Sequence, residues 1–257
     1  MNGTIEALTT YPVKGLSGQS LDSVVLSPGC GFPGDRRFGF ARPDSGFNPD
    51  NPQPLPKTKF YMLARDEKLA LLGTSYDDAT GVLSMNSNNQ SGQFDIHTNA
   101  GKQQAAEFLK NYLDLPNTEV PQLFEASPHR FTDVSVVSVE MMNAVSLINL
   151  DSVNAFANAT GMDVDPERFR GNFHFSGLVP FAELELVGQM LAIGDVHLRV
   201  VKRTKRCPAT EVNLKTGVRD MKTPKLLLQH YDHMDMGIYA EVVQGGTITI
   251  GDDISVL

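Results

Sequence analysis

Cys207 lies directly behind the most basic stretch of the chain. Four cations, Lys202, Arg203, Lys205 and Arg206, occupy the five positions before it, although the whole chain carries a formal net charge of -8. Positive charges near a thiol stabilise the thiolate, which is the form that attacks electrophiles and binds metals. This stretch therefore predicts a reactive or metal-binding cysteine. A small buried thiol beside a solvated basic edge is the alternative, because one cysteine with basic neighbours is a weak signal.

A strand followed by a loop is expected to position this sulfur. The β-branched run VHLRVV (196–201) comes before it, and the turn-like NLKTG (213–217) comes after it. Pro208 follows Cys207 at once and prevents a helix from running through the site. The pattern predicts a strand that ends in a loop carrying the sulfur.

A second set of polar donors lies in FRGNFHFSG (169–177). On a strand, residues two apart share a face, so Arg170 and Asn172 would point together. A guanidinium fork beside an amide suits a phosphate or an oxygen-rich cofactor. The alternative is a solvated polar face opposite Phe169, Phe173 and Phe175.

Three further cations lie on Gly-rich loops near the amino terminus: Lys14, Arg36 and Arg37. Together with the cations before Cys207 they would form one electropositive pocket, or each is an ordinary surface cation. Loops of this kind hold ligands in many proteins.

The remaining polar motifs carry little chemistry. HYDHMD (230–235) lacks the HExxH pattern and is interpreted as surface groups, and Cys30 is interpreted as incidental. The chain has no GxSxG or GxxxxGK[ST] motif, which excludes the commonest hydrolase and P-loop interpretations.

The composition of this 257-residue chain predicts a β-rich globular protein. The sequence is 41% hydrophobic and 20% charged, and its 15 Pro and 22 Gly punctuate short apolar runs. A pI near 5.2 argues against a nucleic-acid binder. Two cysteines provide neither a disulfide framework nor a zinc quartet. No signal peptide or apolar run of about 20 residues is visible, so we expect a cytoplasmic protein that does not span a membrane.

Local signals place the main elements. We expect strands over residues 4–10, 23–26, 37–42, 80–85 and 145–149, a helix capped by Asn99 that ends before Pro116, and a helix capped by Asn149 or Asp151 that ends at Gly161. Two Ile-Gly-Asp segments, 193–195 and 250–252, predict hairpin-like turns at the rim of an antiparallel barrel. The proline-rich segment 42–59 is expected to be a functional or mobile loop.

Taken in order, the motifs YPVKG, GDRRF, RFRGN, IGDVHLRVVKRTKRCPAT, MGIY and GGTITIGD resemble those of the MOSC family, in the version with an amino-terminal β-barrel domain that includes the amidoxime-reducing proteins. The resemblance covers nearly the whole chain. It implies a mainly β, β-rich α+β fold: an antiparallel β-barrel MOSC domain (116–257) with a few flanking helices, after a smaller β-barrel-like domain (1–115).

The resemblance also implies a pterin-type molybdenum cofactor, with Cys207 as catalytic residue and molybdenum ligand. Soft thiolates suit such a metal, and clustered cations stabilise an anionic cofactor. By motif matching, the residues that would hold the cofactor are Lys14, Arg36, Arg170, Asn172, Arg206 and Tyr239.

The function implied is an oxidoreductase that reduces N-hydroxylated or related small molecules. The sequence shows no membrane-anchoring amino terminus. It also shows no cysteine set for an iron–sulfur cluster, so electrons are expected from a separate ferredoxin, flavoprotein or cytochrome-like protein. It also shows no pyridoxal-phosphate desulfurase domain. Two alternatives stay open: a sulfur carrier or sulfurtransferase using a Cys207 persulfide, and a non-catalytic carrier of the cofactor.

Overall fold

The computed structural model describes residues 2–257, and this part of the chain is mainly β. Its strands are β1 Asn2–Thr10, β2 Gln19–Leu21, β3 Ser23–Leu26, β4 Phe38–Ala41, β5 Gly73–Asp77, β6 Val82–Asn86, β7 Ser91–Asp95, β8 Gln122–Glu125, β9 Val145–Asn149, β10 Phe173–Ser176, β11 Met190–Ile193, β12 Val196–Lys205, β13 Asp235–Gln244, β14 Gly246–Thr249 and β15 Asp253–Val256. The helices are α1 Asn99–Tyr112, α2 Val139–Met142, α3 Leu150–Thr160 and α4 Thr223–Tyr231.

Seven strands close into a barrel. Their order is β10-β9-β13-β12-β11-β15-β1, and β1 pairs back onto β10, while β2 extends the edge of β1. Neighbours run antiparallel except β9 and β10. Along β12 the buried side chains alternate, with Val196, Leu198 and Val200 facing the core. The prediction of a mainly β fold with an antiparallel barrel and a few helices is confirmed.

A second core forms in the amino-terminal part of the chain. The β4–β8 pair and the three-stranded β5–β6–β7 meander pack with α1 around Phe38, Leu83 and Leu109. Because β1 belongs to the barrel, the first strand of the chain joins the two parts. The division after residue 115 stays a prediction.

None of the helices within residues 2–257 has both the length and the apolar character that a membrane crossing requires.

The helix ends follow their capping residues. Asn149 caps α3 by accepting a hydrogen bond from the Asp151 N–H, and Gly161 ends the helix with φ 66°, as the sequence predicts. The predicted Asn99 cap of α1 is wrong by one residue. Thr98 is the cap, because its Oγ1 accepts the Gly101 N–H at 3.0 Å.

The two Ile-Gly-Asp turns have different surroundings. Gly194 and Asp195 join β11 to β12 in an antiparallel hairpin, as predicted. The second turn is not a hairpin, because β14 pairs with β3 whereas β15 pairs with β1 and β11. The chain therefore leaves a separate two-stranded sheet at this turn and enters the barrel.

Candidate functional site

A cavity of about 310 Å³ opens between the barrel and the amino-terminal core. Segments from both parts of the chain line it, including the segment around residue 14, the turn around residue 170 and the end of β12. All seven site residues that motif matching predicts lie on this one cavity: Lys14, Arg36, Arg170, Asn172, Arg206, Cys207 and Tyr239. Their roles toward a ligand stay predictions.

The end of β12 delivers the sulfur to the cavity, as the sequence predicts. The strand stops at Lys205, and Cys207 precedes the short 3-10 turn Pro208–Glu211 with an extended backbone at φ -125° and ψ 171°. Its carbonyl oxygen accepts hydrogen bonds from the Thr210 N–H at 3.1 Å and the Thr210 hydroxyl at 2.9 Å. These two hydrogen bonds fix the backbone of Cys207. Its side chain is partly buried and lines the cavity.

The cation that contacts the sulfur is Lys57, which sequence reasoning missed. Its Nζ donates a hydrogen bond to Sγ of Cys207 at 3.3 Å. Lys57 begins a 3-10 turn at the end of the proline-rich segment 42–59, and Phe47 of that segment is buried in an aromatic cluster with Phe60 and Phe131. The segment is therefore anchored to the core, and its end places an ammonium beside the thiol.

Asp133 links this lysine to Lys14. One carboxylate oxygen accepts from Lys14 Nζ and the other from Lys57 Nζ at 3.2 Å. Burial alone would raise the pKa of Asp133, but the two ammonium groups lower it well below its usual range. Burial lowers the pKa of Lys14. Lys14 is 5% exposed, so Asp133 supplies the counter-charge that a buried ammonium requires.

Arg36 lies across the cavity in a left-handed backbone conformation, φ 47°. Its Nη1 pairs with the Asp35 carboxylate at 2.6 Å, and its guanidinium stacks 4.3 Å from the centre of the Tyr11 ring. Burial alone would lower the pKa of Arg36, but Asp35 raises it. The neighbouring Arg37 points elsewhere and pairs with Asp78 and Glu125, so its predicted place in the electropositive pocket is wrong.

Arg170 is not on a strand, which corrects the sequence-based geometry. It ends the 3-10 turn Pro166–Phe169 in a left-handed conformation, φ 53°, and β10 begins only at Phe173. Its Nη1 donates to the Leu16 carbonyl at 2.7 Å, whereas the buried Nη2 has no hydrogen-bond partner within residues 2–257. Burial lowers the pKa of Arg170 to about 10. A buried guanidinium nitrogen left without a partner favours a ligand with acceptor oxygens.

Asn172 is buried, which excludes the solvated polar face as an interpretation. Its Oδ1 accepts from the Ser146 N–H at 3.0 Å and the Ser146 hydroxyl at 2.9 Å, and its Nδ2 donates to the Thr9 carbonyl at 3.2 Å. The side chain thus ties the chain near β1 to β9 at the cavity wall. These bonds occupy its amide within the protein.

Arg206 is also held by backbone oxygens. Its Nε and Nη2 donate to the Met236 carbonyl and its Nη1 to the Phe169 carbonyl at 2.9 Å. A side chain at Gly237, φ 77°, would clash with the Leu147 carbonyl and the Ile148 side chain beside this guanidinium. Burial lowers the pKa of Arg206 to about 10, and no carboxylate pairs with it within the described chain.

Tyr239 and two lysines complete the cavity wall. Tyr239 on β13 lies opposite Lys202 on β12, and burial raises its pKa. Lys202 and Lys205 line the cavity and are exposed. Arg203 instead pairs with Glu185 at 2.7 Å away from the cavity, so its predicted contribution to the sulfur's charge environment is wrong.

The charge inventory of the cavity is strongly one-sided. Eight cationic side chains and two carboxylates line it, an excess of six positive charges in a chain of net charge -8. Arg168, one of the eight, pairs with Asp220. Together with the partnerless Nη2 of Arg170, this excess fits a polyanionic ligand. Within residues 2–257 no cluster of three His, Cys, Asp or Glu side chains is arranged to hold a metal, and among the described residues that line the cavity Cys207 supplies the thiol.

Comparison with known proteins supplies the family. Residues 2–125 match the model of the MOSC N-terminal beta barrel domain, and residues 129–255 match that of the MOSC domain. Mitochondrial amidoxime reducing component 2 from Bos taurus is 24% identical over 280 residues, covering 98% of this chain and 82% of that protein.

Two solved structures are similar at lower levels. The YUAD protein from Bacillus subtilis has a TM-score of 0.48 and 15% identity over 100% of this chain and 96% of its own. YiiM from Geobacillus stearothermophilus has a TM-score of 0.35 and 19% identity over 44% of this chain and 53% of its own. The two domain models together span almost all of the sequence, and the chain belongs to the MOSC family.

Proposed function

We propose that this chain is a molybdenum-cofactor-dependent oxidoreductase that reduces N-hydroxylated small molecules, with Cys207 as the thiolate ligand of molybdenum. The observation that supports this most is the meeting of one accessible sulfur and an excess of six positive charges in the same cavity. A pterin cofactor carries phosphate and sulfur anions, so it needs such an environment. A thiolate is the soft ligand that suits its metal.

Six residues would hold the cofactor, and their contacts indicate a different role for each group of them. Arg170, with its free Nη2, and Lys14 and Arg36, with one carboxylate partner each, provide donors and charge for the phosphate and pterin oxygens. Arg206 contributes charge, because its donors already bind carbonyl oxygens. Asn172 orients the wall through Ser146, and Tyr239 covers the cavity beside Lys202. When bound, the cofactor supplies the two-electron redox chemistry.

The similarity to the bovine amidoxime reducing component supports the proposed reaction class. In such a reduction the N–O bond breaks, two electrons and two protons are consumed, and the oxygen leaves as water. Within residues 2–257 no iron–sulfur ligand set is present, because the chain has two cysteines and no group of three or more His, Cys, Asp or Glu side chains is clustered. The electrons would come from a separate ferredoxin, flavoprotein or cytochrome-like protein.

An assay with a chemical electron donor tests this function directly. Protein purified with its cofactor is incubated with reduced methyl viologen and benzamidoxime, and benzamidine is measured by chromatography. We expect benzamidine with the wild type and with the Cys30→Ser control, and none with Cys207→Ala. A molybdenum-loaded wild type that reduces neither benzamidoxime nor other N-hydroxylated amines and amides would refute the proposal.

The sulfur-carrier alternative makes a different prediction for the same residue. Metal-free protein would be incubated with a cysteine desulfurase and cysteine, and the mass of the Cys207 peptide would then be measured. A peptide with one added sulfur, together with transfer of that sulfur to an acceptor, would favour the carrier. Bound pterin without turnover under any donor would instead favour a non-catalytic cofactor carrier.

A further inference from the structure

Lys202 and Lys205 form a cationic rim at the mouth of the cavity. Both side chains line the cavity and are exposed. On a regular strand, residues three apart face opposite sides, so these two lysines would not share a surface. The pairing of β12 with β13 is irregular between Val200 and Lys202 and again between Arg203 and Lys205. Such bulges turn side chains from one face to the other, and here both lysines reach the mouth.

The rim lysines differ from the other cations on the same strand. Arg199 pairs with Glu241, and Arg203 pairs with Glu185 at 2.7 Å, both away from the cavity. Neither Lys202 nor Lys205 has a carboxylate within 4.0 Å in the described part of the chain. The strand therefore neutralises its outward charges and leaves those at the cavity mouth available.

The cations deeper in the cavity already have partners within the protein. Lys14 and Arg36 have carboxylate partners, and Arg206 donates to backbone carbonyls. A cofactor bound to the sulfur and the partly free Arg170 would use the inner wall. The two rim lysines would then face the space through which a substrate enters.

We propose that Lys202 and Lys205 make the cavity selective for substrates that carry an anionic group, such as a carboxylate or a phosphate, in addition to the group that is reduced. This inference rests on the proposed function and adds a substrate class to it. Two ammonium groups at the mouth of a low-dielectric cleft attract an anion both during its approach and when it is bound.

A matched pair of substrates tests the inference. Benzamidoxime and 4-carboxybenzamidoxime differ by one carboxylate, and the KM and kcat of each are measured with wild-type protein and reduced methyl viologen. We expect a KM about tenfold lower for the carboxylated compound in about 50 mM NaCl, and a smaller ratio in about 300 mM NaCl. Lys202→Met/Lys205→Met should bring the ratio to within about twofold, mainly through KM for the carboxylated compound.

Arg203→Met is the matched control, because it removes one charge from the same strand outside the cavity. It should keep the wild-type KM ratio. Binding gives a second readout that needs no turnover: the affinity of 4-carboxybenzamidoxime for cofactor-loaded protein without an electron donor is measured by calorimetry. We expect about tenfold weaker binding to the double variant. The single variants Lys202→Met and Lys205→Met, each with an intermediate effect, replace the double variant if it does not fold.

Three outcomes would overturn the inference: equal KM values for the two compounds, a preference for the neutral one, or a preference that survives in the double variant. These differ from failure of the proposed function, in which cofactor-loaded protein reduces neither compound. Calorimetry then still decides whether the rim binds the carboxylate.

Discussion

Asp133→Asn removes the carboxylate that holds the two lysines of the cavity, and it should destabilise the protein. Asp133 accepts from Lys14, which is 5% exposed, and from Lys57, which is 32% exposed. The variant leaves the buried Lys14 ammonium without its counter-charge, with only neutral acceptors such as the Phe131 carbonyl at 2.9 Å. Breaking a fully buried ion pair costs about 3–5 kcal/mol.

The magnitude must be reduced for solvent, because the Asp133 side chain is 46% exposed. We therefore expect a loss of about 2 kcal/mol in the free energy of unfolding, half of the buried-pair value. For a chain of this length that loss corresponds to a fall in Tm of roughly 4–8 °C.

Urea unfolding monitored by circular dichroism measures this loss, provided that the m value stays the same in both proteins. Asp44→Asn is the matched control, since Asp44 pairs with Lys59 at 3.4 Å and both side chains are exposed at 80% and 38%. The control should change the free energy of unfolding by less than about 0.5 kcal/mol. An Asp133→Asn protein as stable as the control would refute the assignment of Asp133 as the counter-charge of Lys14.

Other perturbations separate ligand binding from folding. The stability difference between wild type and Asp133→Asn should be constant from about pH 5 to 8 and shrink progressively as the pH falls below about 4. A carboxyl whose pKa is lowered by folding contributes its full stability above its unfolded pKa and loses it as the pH falls toward the lowered folded pKa. Urea unfolding across this range checks it. Arg170→Met should leave the cofactor-free protein as stable or about 1 kcal/mol more stable, since it removes a desolvated charge at the loss of one hydrogen bond, yet lower its molybdenum content; a large loss of stability would contradict this. Asn172→Ala should lower the free energy of unfolding by about 3 kcal/mol, because it leaves the buried Ser146 N–H and the Thr9 carbonyl without the partner that Asn172 provides. A loss below about 1 kcal/mol would show that these groups find other partners.

Local chemistry explains what the sequence could predict. Pro208, three residues after Lys205, prevents β12 from continuing as a helix, and Asn149 and Gly161 fix the ends of α3, so each boundary depends on residues that are near in the chain. The motifs that resemble the MOSC family supplied the seven cavity residues. Periodicity and capping alone would not have brought Lys14 and Cys207 together.

The missing parts of the site depend on distant contacts. Lys57 lies 150 residues before the sulfur that it contacts, and it is 76 residues from Asp133. No spacing rule connects such positions, and the only signal was the proline-rich segment that carries Lys57. The charge pattern before Cys207 was also misleading, because the bulges in β12 decide which cations face the cavity. Arg170 was assigned to a strand because alternating phenylalanines resemble one, whereas its left-handed backbone ends a 3-10 turn.

Molybdenum bound per chain is the measurement that tests the central claim most directly. Wild type, Cys207→Ala and Cys30→Ser would be produced in the same host and analysed by inductively coupled plasma mass spectrometry, with released pterin measured by fluorescence. We predict bound metal and pterin in the wild type and in Cys30→Ser, and a loss of the metal in Cys207→Ala. Equal molybdenum in all three proteins, or none in any of them, would contradict it.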